Sequence, residues 1–431
     1  MKYRSIKSGR KLYTLADAVH KNLADDGSLL VPEKIPVLTA AELKSLKGAS
    51  LQSVAELILK KYFSDSLSAT EIKTIVSKAI NFPIPLTQIG QVKIFELFHG
   101  PTKSYKDLPS RIFACLTEVL LSKEKIKPLK LLVGSSEYSG ASIAHAFANL
   151  LDVETVCLFP KHIPNHVRSE LLHHLGENAT CVEVDGSPDT CHKFIDKAFN
   201  DPDLKKSNLM VANTINVGSL IPHVIYFAYL YAISEKNFQV VMSPGKFGKV
   251  TAALMAIKMG IPLGKVVLAV DIDDLNADLF MKTGSYRDQN HGFFDYFMSS
   301  KHVSVAYDFP RVAWLCNNSA SEFAKHFSLV SVKSTQAADM LSTVFFDYGY
   351  IMEPRTAAAW VAQDTLDYTD HALPVVIADG SAVLFAKEIG QISEVTVDDG
   401  NFIASIKRQK LNNIYRPSSY ADIKKLLQSN V

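Results

Sequence analysis

Cysteine is scarce in this chain. Five residues in 431 (Cys115, Cys157, Cys181, Cys191 and Cys316) are odd in number and show no Cys-x-x-Cys spacing. That excludes a disulfide framework and a zinc cluster, and predicts reduced thiols in a cytoplasmic protein. Net charge is nearly absent too: 46 Lys and Arg against 44 Asp and Glu leave +2, and no basic run is longer than a pair. Neither nucleic acid nor an acidic membrane is therefore an expected partner. Met1 to Ser5 carries no apolar stretch, so no secretory leader is expected. Long apolar runs are also missing, with one near exception. Ser207 to Ser234 holds no Asp, Glu, Lys or Arg, but Asn213, Asn216, Pro222, His223 and three tyrosines interrupt it. A helix buried between layers fits this stretch better than a membrane span.

What is present is the ordinary composition of a globular protein, with 47% hydrophobic and 21% charged residues. The length calls for more than one domain. Residues 1–90 are expected to be mainly helical, with helical spacing over Ser53–Phe63 and a Ser68 to Glu71 capping signal opening a helix at 67–80. Phe82 to Leu86, with two prolines, reads as an extended linker. From there apolar strands alternate with helices: strands near 129–133, 155–159, 181–184, 209–212, 240–242, 266–270 and 374–378, with helices such as 141–150, 165–175, 218–233 and 251–259 between them. The pattern predicts an α/β protein with largely parallel sheets covered by helices on both faces. The expected division is 1–90, a first α/β domain at 91–235, a second at 236–400, and a tail at 401–431 packed on the body. Ligand sites in such sheets lie in the loops beyond the carboxyl ends of the strands.

Phe95-Glu96-Leu97-Phe98-His99-Gly100-Pro101-Thr102-Lys103-Ser104-Tyr105-Lys106-Asp107 is such a loop. It sets lysines in an apolar, turn-rich context. A lysine against apolar walls loses its proton more easily and becomes a nucleophile, the property a carbonyl cofactor such as pyridoxal phosphate requires for a Schiff base. The run Glu96 to Thr102, followed at the right distance by Lys106-Asp107, resembles the cofactor-lysine signature of the threonine synthase family. The segment from Leu23 to Glu33 resembles that family's N-terminus, with Ser28 where a glycine is usual. The resemblance covers roughly residues 13–390 and identifies the chain as a diverged member. It implies the fold-type II architecture with an N-terminal helical extension, pyridoxal 5'-phosphate as cofactor, and Lys106 as its Schiff-base lysine. Lys103, where the family is usually apolar, reads as a solvated neighbour.

Other loops carry further implied roles. Ser243-Pro244-Gly245-Lys246-Phe247-Gly248-Lys249 joins a strand to a helix, a geometry suited to anions. It resembles the family's Ser-Gly-Asn-Phe-Gly phosphate loop, with Pro244 added before the glycine and Lys246 in place of Asn. Gly245, Lys246, Phe247 and Gly248 are thus expected to hold the cofactor phosphate. Gly134 to Gly140 resembles the loop that receives the substrate carboxylate, so Ser135, Ser136, Ser139 and Gly140 are expected substrate contacts. Glu137 and Tyr138 depart from that loop, and a carboxylate at Glu137 repels a bound carboxylate unless it turns away or is protonated. Asn213-Thr214-Ile215-Asn216 resembles an Asn-Ser-Ile-Asn element, which implies cofactor binding by Asn213 and substrate binding by Asn216.

Two elements have drifted further. Arg355, within Met352 to Ala357, stands where the family has His, and is expected to meet substrate. Asp379-Gly380-Ser381 stands near the residue that meets the pyridine nitrogen; Ser381 or Asp379 fills that role, depending on a one-residue alignment choice. The implied reaction is conversion of O-phospho-L-homoserine to L-threonine and phosphate. The alternatives are a different β- or γ-substituted amino acid on the same scaffold, or a non-catalytic binding protein. No metal is expected, the partner is a small amino-acid substrate, and the chain is a monomer or homodimer.

Overall fold

The computed structural model describes the whole chain except residues 125–127, 135–138, 164, 236, 272–281, 283–307, 367–372, 399–413, 418 and 430–431. Its strands are β1 (Tyr3–Ser5), β2 (Leu12–Tyr13), β3 (Leu30–Pro32), β4 (Leu86–Ile89), β5 (Val92–Glu96), β6 (Leu129–Gly134), β7 (Val153–Pro160), β8 (Ala179–Val184), β9 (Leu209–Val211), β10 (Phe238–Met242), β11 (Val266–Asp271), β12 (Phe327–Val332), β13 (Leu373–Ala378) and β14 (Ile414–Tyr415). They form three sheets: β2-β1-β3, β12-β11-β10-β13-β5-β4 and β14-β8-β7-β6-β9. The five-stranded sheet is parallel throughout, and the six-stranded one is parallel except for the edge pair β4–β5. Strands such as β6 and β10 are apolar on both faces because helices cover both.

The N-terminal region is helical as the spacing predicts, and it also holds the small antiparallel sheet β2-β1-β3. Ser68 and Glu71 form the predicted capping box on the helix Ala69–Ala79, with Ser68 N–H donating to Glu71 Oε2 at 2.7 Å and Glu71 N–H to Ser68 Oγ at 3.2 Å. Residues 86–96, which precede the five-stranded sheet in sequence, join the six-stranded sheet instead. That places the end of β5 beside the end of β13, through pairing of Glu96 with Ala378.

The apolar stretch at 217–233 is not one helix. Pro222 cannot donate to the preceding turn, and the chain runs as a helix Val217–Leu220, a tight turn Ile221–His223 and a helix Val224–Ile233. This last helix packs against the helices Leu51–Phe63 and Gly248–Lys258, buried between the N-terminal region and the six-stranded sheet. Among the described residues no helix is long and apolar enough to cross a membrane. The last residues pack on the body: β14 adds to β8, and Ile423 and Leu427 of the helix Tyr420–Gln428 enter an apolar cluster with Val182, Ile195 and Leu204.

Candidate active site

Four loops meet at the carboxyl ends of the strands. The loop after β5 carries Lys106 immediately before the helix Asp107–Glu124. Its turn is held from several sides. Asp107 is fully buried and accepts from Thr102 N–H at 2.9 Å and Thr102 Oγ1 at 2.7 Å. Thr102 Oγ1 also lies 2.7 Å from Ser142 Oγ, on the helix that opens at Ser139. The Tyr226 hydroxyl donates to the carbonyl of Tyr105. Tyr105 N–H donates to the Asp379 carbonyl at 2.7 Å and Ser381 N–H to the Lys103 carbonyl at 3.0 Å, which staples this loop to the one after β13. Lys103 accordingly takes a left-handed backbone, with φ of 56°, a strained conformation for a residue with a side chain.

Lys106 is half-buried as a residue, and its amine lies 5.0 Å from the centroid of the Tyr105 ring. Burial pulls its pKa down to about 8; the Lys246 and Lys249 ammonium groups push the same way, while Asp308 and Asp379 oppose. An amine so poised is a nucleophile near neutral pH.

The loop after β10 departs from ordinary backbone at Gly245 (φ 53°) and Phe247 (φ 65°). Phe247 tolerates this because its ring is fully buried, edge-on to Phe309 with centroids 5.0 Å apart. At Gly248 a Cβ would come within 2.9 Å of the Thr214 side chain and 3.2 Å of Asp308 Oδ2, so only glycine fits. The helix Gly248–Lys258 begins here. Among the described residues, the N–H groups of Gly245, Gly248 and Lys249 meet no protein acceptor. Unpaired N–H groups at the start of a helix form an anion cradle. This cradle beside Lys106 fits a cofactor with a phosphate at one end and a carbonyl at the other. Lys246 itself is exposed.

Behind the cradle lies a buried polar assembly that the sequence did not announce. Asp308 accepts from Thr214 Oγ1 and from Arg311. Arg311 is fully buried and donates also to the carbonyls of Leu30 at 2.9 Å, Thr214 at 2.5 Å and Ile215 at 2.6 Å. Lys249 is buried and ion-paired with Asp379, and its ammonium lies 4.9 Å from the same Tyr105 ring centroid. None of Lys249, Asp308 and Arg311 was singled out, because their partners are remote in sequence.

The remaining expected residues fall as follows. Asn213 is half-buried at the end of β9, its side-chain oxygen accepting from Ile215 N–H at 3.1 Å. Asn216 is a correction. It is fully buried, donating to the Val19 carbonyl at 2.7 Å and Asn22 Oδ1 at 3.0 Å and accepting from Gly218 N–H at 3.0 Å. Both of its N–H hydrogens are committed to joining the N-terminal region to this loop, so it has no donor left for substrate. Ser381 is half-buried, and its hydroxyl meets no protein partner among the described residues. Arg355 is exposed at the start of the helix Pro354–Asp364, next to the buried capping residue Glu353, which accepts from Thr356 N–H and Arg355 N–H at 2.8 Å each. Gly140 is in the first turn of the helix Ser139–Phe147. Ser135, Ser136, Glu137 and Tyr138 lie outside the described residues, as does the Ser139 side chain.

The chain is similar in sequence and fold to several known proteins. A sequence model described as the threonine synthase N terminus matches residues 2–80. The threonine synthase of Buchnera aphidicola subsp. Baizongia pistaciae is 28% identical over 444 residues, covering 99% of each chain. The crystal structure of threonine synthase from Escherichia coli superposes with a TM-score of 0.84 at 26% identity, over 99% of each chain. A pyridoxal-phosphate-bound threonine synthase from Brucella melitensis shares the fold, with a TM-score of 0.88 at 21% identity over 99% of this chain and 98% of that one.

Proposed function

We propose that this chain, which belongs to the threonine synthase family and is a fold-type II pyridoxal-phosphate lyase, acts on a β- or γ-substituted amino acid, by default converting O-phospho-L-homoserine to L-threonine and phosphate. The observation that carries this reading is the juxtaposition of a desolvated lysine, Lys106, with a cradle of unpaired N–H groups at the start of the helix Gly248–Lys258.

When bound, the cofactor supplies an electron sink for negative charge at carbons near the substrate amine. The protein supplies the rest. Lys106 would hold the cofactor carbonyl, and its amine, once free, would move protons at the substrate carbons. A pKa of about 8 suits both tasks near neutral pH. The N–H groups of Gly245, Gly248 and Lys249 at the helix N-terminus, with Lys246 beside them, would hold the cofactor phosphate; Phe247, whose own N–H donates to the Pro244 carbonyl at 3.0 Å, would shape the loop instead. The side-chain nitrogen of Asn213 remains to donate to the ring oxygen, since its oxygen is occupied by Ile215. Of the two candidates for the ring nitrogen, Ser381 has the unengaged hydroxyl while Asp379 is paired with Lys249. These contacts support Ser381, a neutral partner. Ser135, Ser136, Ser139 and Gly140 would receive the substrate carboxylate. Arg355 is the candidate to meet charge developing on the leaving phosphate, which needs cationic or N–H donors.

A second reading, another amino acid on the same scaffold, is favoured by Glu137 and Tyr138, where the chain departs from the family's carboxylate loop. Incubation of the purified protein with O-phospho-L-homoserine, with phosphate and threonine both assayed, decides between them. Release of neither product, in a preparation whose cofactor is bound, would exclude the default substrate.

A further inference from the structure

His223 stands one turn before Tyr226, on the segment that forms the floor beneath the Lys106 loop. It is 1% exposed. Its Nδ1 lies 3.0 Å from the Ser219 carbonyl and 3.2 Å from the Leu220 carbonyl, so Nδ1 carries the hydrogen and Nε2 is left as an acceptor. Among the described residues no hydrogen-bond partner reaches that Nε2. A buried polar atom without a partner is costly and calls for an explanation. The imidazole sits edge-on to the Tyr105 ring, with centroids 6.0 Å apart. Two lysines lie over the same ring, Lys106 at 5.0 Å and Lys249 at 4.9 Å. Lys249 is committed to Asp379.

We propose that His223 is a positioning residue that accepts a hydrogen bond from the Lys106 amine when the substrate has displaced that amine from the cofactor. The inference deepens the proposed function, because it requires Lys106 to be the cofactor lysine. A freed amine in a desolvated space needs an acceptor, and the flexible stem of Lys106 lets it reach one. Burial, and then the cationic Lys106 and Lys249, hold the imidazole pKa well below the usual histidine value. Around Lys106 the charged groups are Asp308 and Asp379 on one side of the balance and Lys246 and Lys249 on the other. A neutral imidazole adds an acceptor without a charge, so it holds the amine without fixing the proton on it as a carboxylate would.

The test titrates Lys106 in the full-length chain freed of cofactor, by the pH dependence of acetic anhydride labelling mapped to that lysine. His223→Leu removes the acceptor and should lower the midpoint by about one pH unit, since a hydrogen bond to a charged donor favours the protonated amine. His223→Gln offers a carboxamide oxygen in its place and should restore the wild-type midpoint, which a purely space-filling role would not predict. An unmoved midpoint in His223→Leu, or equal shifts in both variants, would overturn the proposal. A second measurement needs no variant at this position. In the holoenzyme labelled with ¹⁵N-histidine, the Nε2 resonance of His223 should shift when an amino-acid ligand displaces Lys106, and a resonance that stays in place refutes the contact. Failure of borohydride labelling at Lys106 would refute the underlying site assignment instead, so the two failures are distinguishable.

Discussion

Arg311→Met is the most demanding test of how the site is built. The guanidinium is fully buried, and its partners are the Leu30, Thr214 and Ile215 carbonyls and the Asp308 carboxylate. Methionine fills a similar volume but donates nothing. Removing one partner of a buried ion pair costs about 3–5 kcal/mol, because the other charge is left uncompensated. The three orphaned carbonyls add roughly 1 kcal/mol or more each where no water replaces the donor. The lower figure alone is a large part of the about 5–15 kcal/mol that holds a typical protein folded. The loss falls on the joint between β3, the loop after β9 and the start of the helix Phe309–Leu315, which together wall the phosphate cradle. Urea denaturation should therefore show a midpoint shift equivalent to at least about 3 kcal/mol, with weaker cofactor retention. Arg311→Lys should rescue little, since an ammonium cannot reproduce the planar fork. Adding Asp308→Asn to Arg311→Met should recover part of the loss by removing the stranded charge. A single variant within about 1 kcal/mol of wild type, still holding cofactor, would show that this assembly is not what supports the cradle.

Other outcomes follow from the same geometry. Borohydride reduction and peptide mapping should place the pyridoxyl group on Lys106 and nowhere else, and Lys106→Ala should abolish it; label on Lys103, Lys246 or Lys249 refutes the assignment. In cofactor-free protein, labelling of Lys106 should rise tenfold per pH unit below its pKa of about 8 and level off above, because only the neutral amine reacts. Lys246→Asn should leave cofactor affinity within about tenfold, since an exposed charge contributes roughly 0–1 kcal/mol beside several backbone donors; a larger loss would make the ammonium the anchor. Lys249→Met should destabilise the cofactor-free protein by about 3–5 kcal/mol by stranding Asp379, and Asp379→Asn on top should return part of it, as read by denaturation. On sequence grounds, Glu137→Gly with Tyr138→Asp should raise kcat/KM on O-phospho-L-homoserine by about one to three decades, the equivalent of about 1–4 kcal/mol of carboxylate repulsion; a slower double variant refutes the repulsion.

The legibility of this chain depended on how local each signal was. The Lys106 loop and the 245–248 loop can be proposed from sequence because each is a contiguous run with its own turn chemistry. The parallel sheets were readable from apolar strands five to eight residues long. β1 to β3 span only two or three residues each, too few for any period to show. β12, Phe-Ser-Leu-Val-Ser-Val, is an edge strand whose serines dilute the apolar signal. Asn216 was misread because a turn asparagine looks the same whether it caps a helix or meets a ligand. The polar assembly was out of reach for another reason. Lys249 and Asp379 are 130 residues apart, Thr214 and Asp308 are 94 apart, and Arg311 and Leu30 are 281 apart.

With Lys106 proposed as the cofactor lysine, what sets it apart from the other lysines of this site is commitment rather than proximity. Lys246 is exposed and keeps its hydration. Lys103 is held by its backbone in the staple to Ser381, with its side chain partly in solvent. Lys249 is the most buried of the four, and its side chain is committed to an ion pair with Asp379. Lys106 has burial without a carboxylate in contact among the described residues, and two neighbouring cations that disfavour its proton. The pair Lys249–Asp379 thus acts on Lys106 twice. It keeps a positive charge near the reactive amine, and it keeps Asp379 from becoming that amine's own partner. Replacing Asp379 would free the Lys249 amine while removing an opposing charge from Lys106, so both would become candidates for the cofactor carbonyl. Selectivity for one lysine is therefore a property of the ion pair beside it as much as of the signature that contains it.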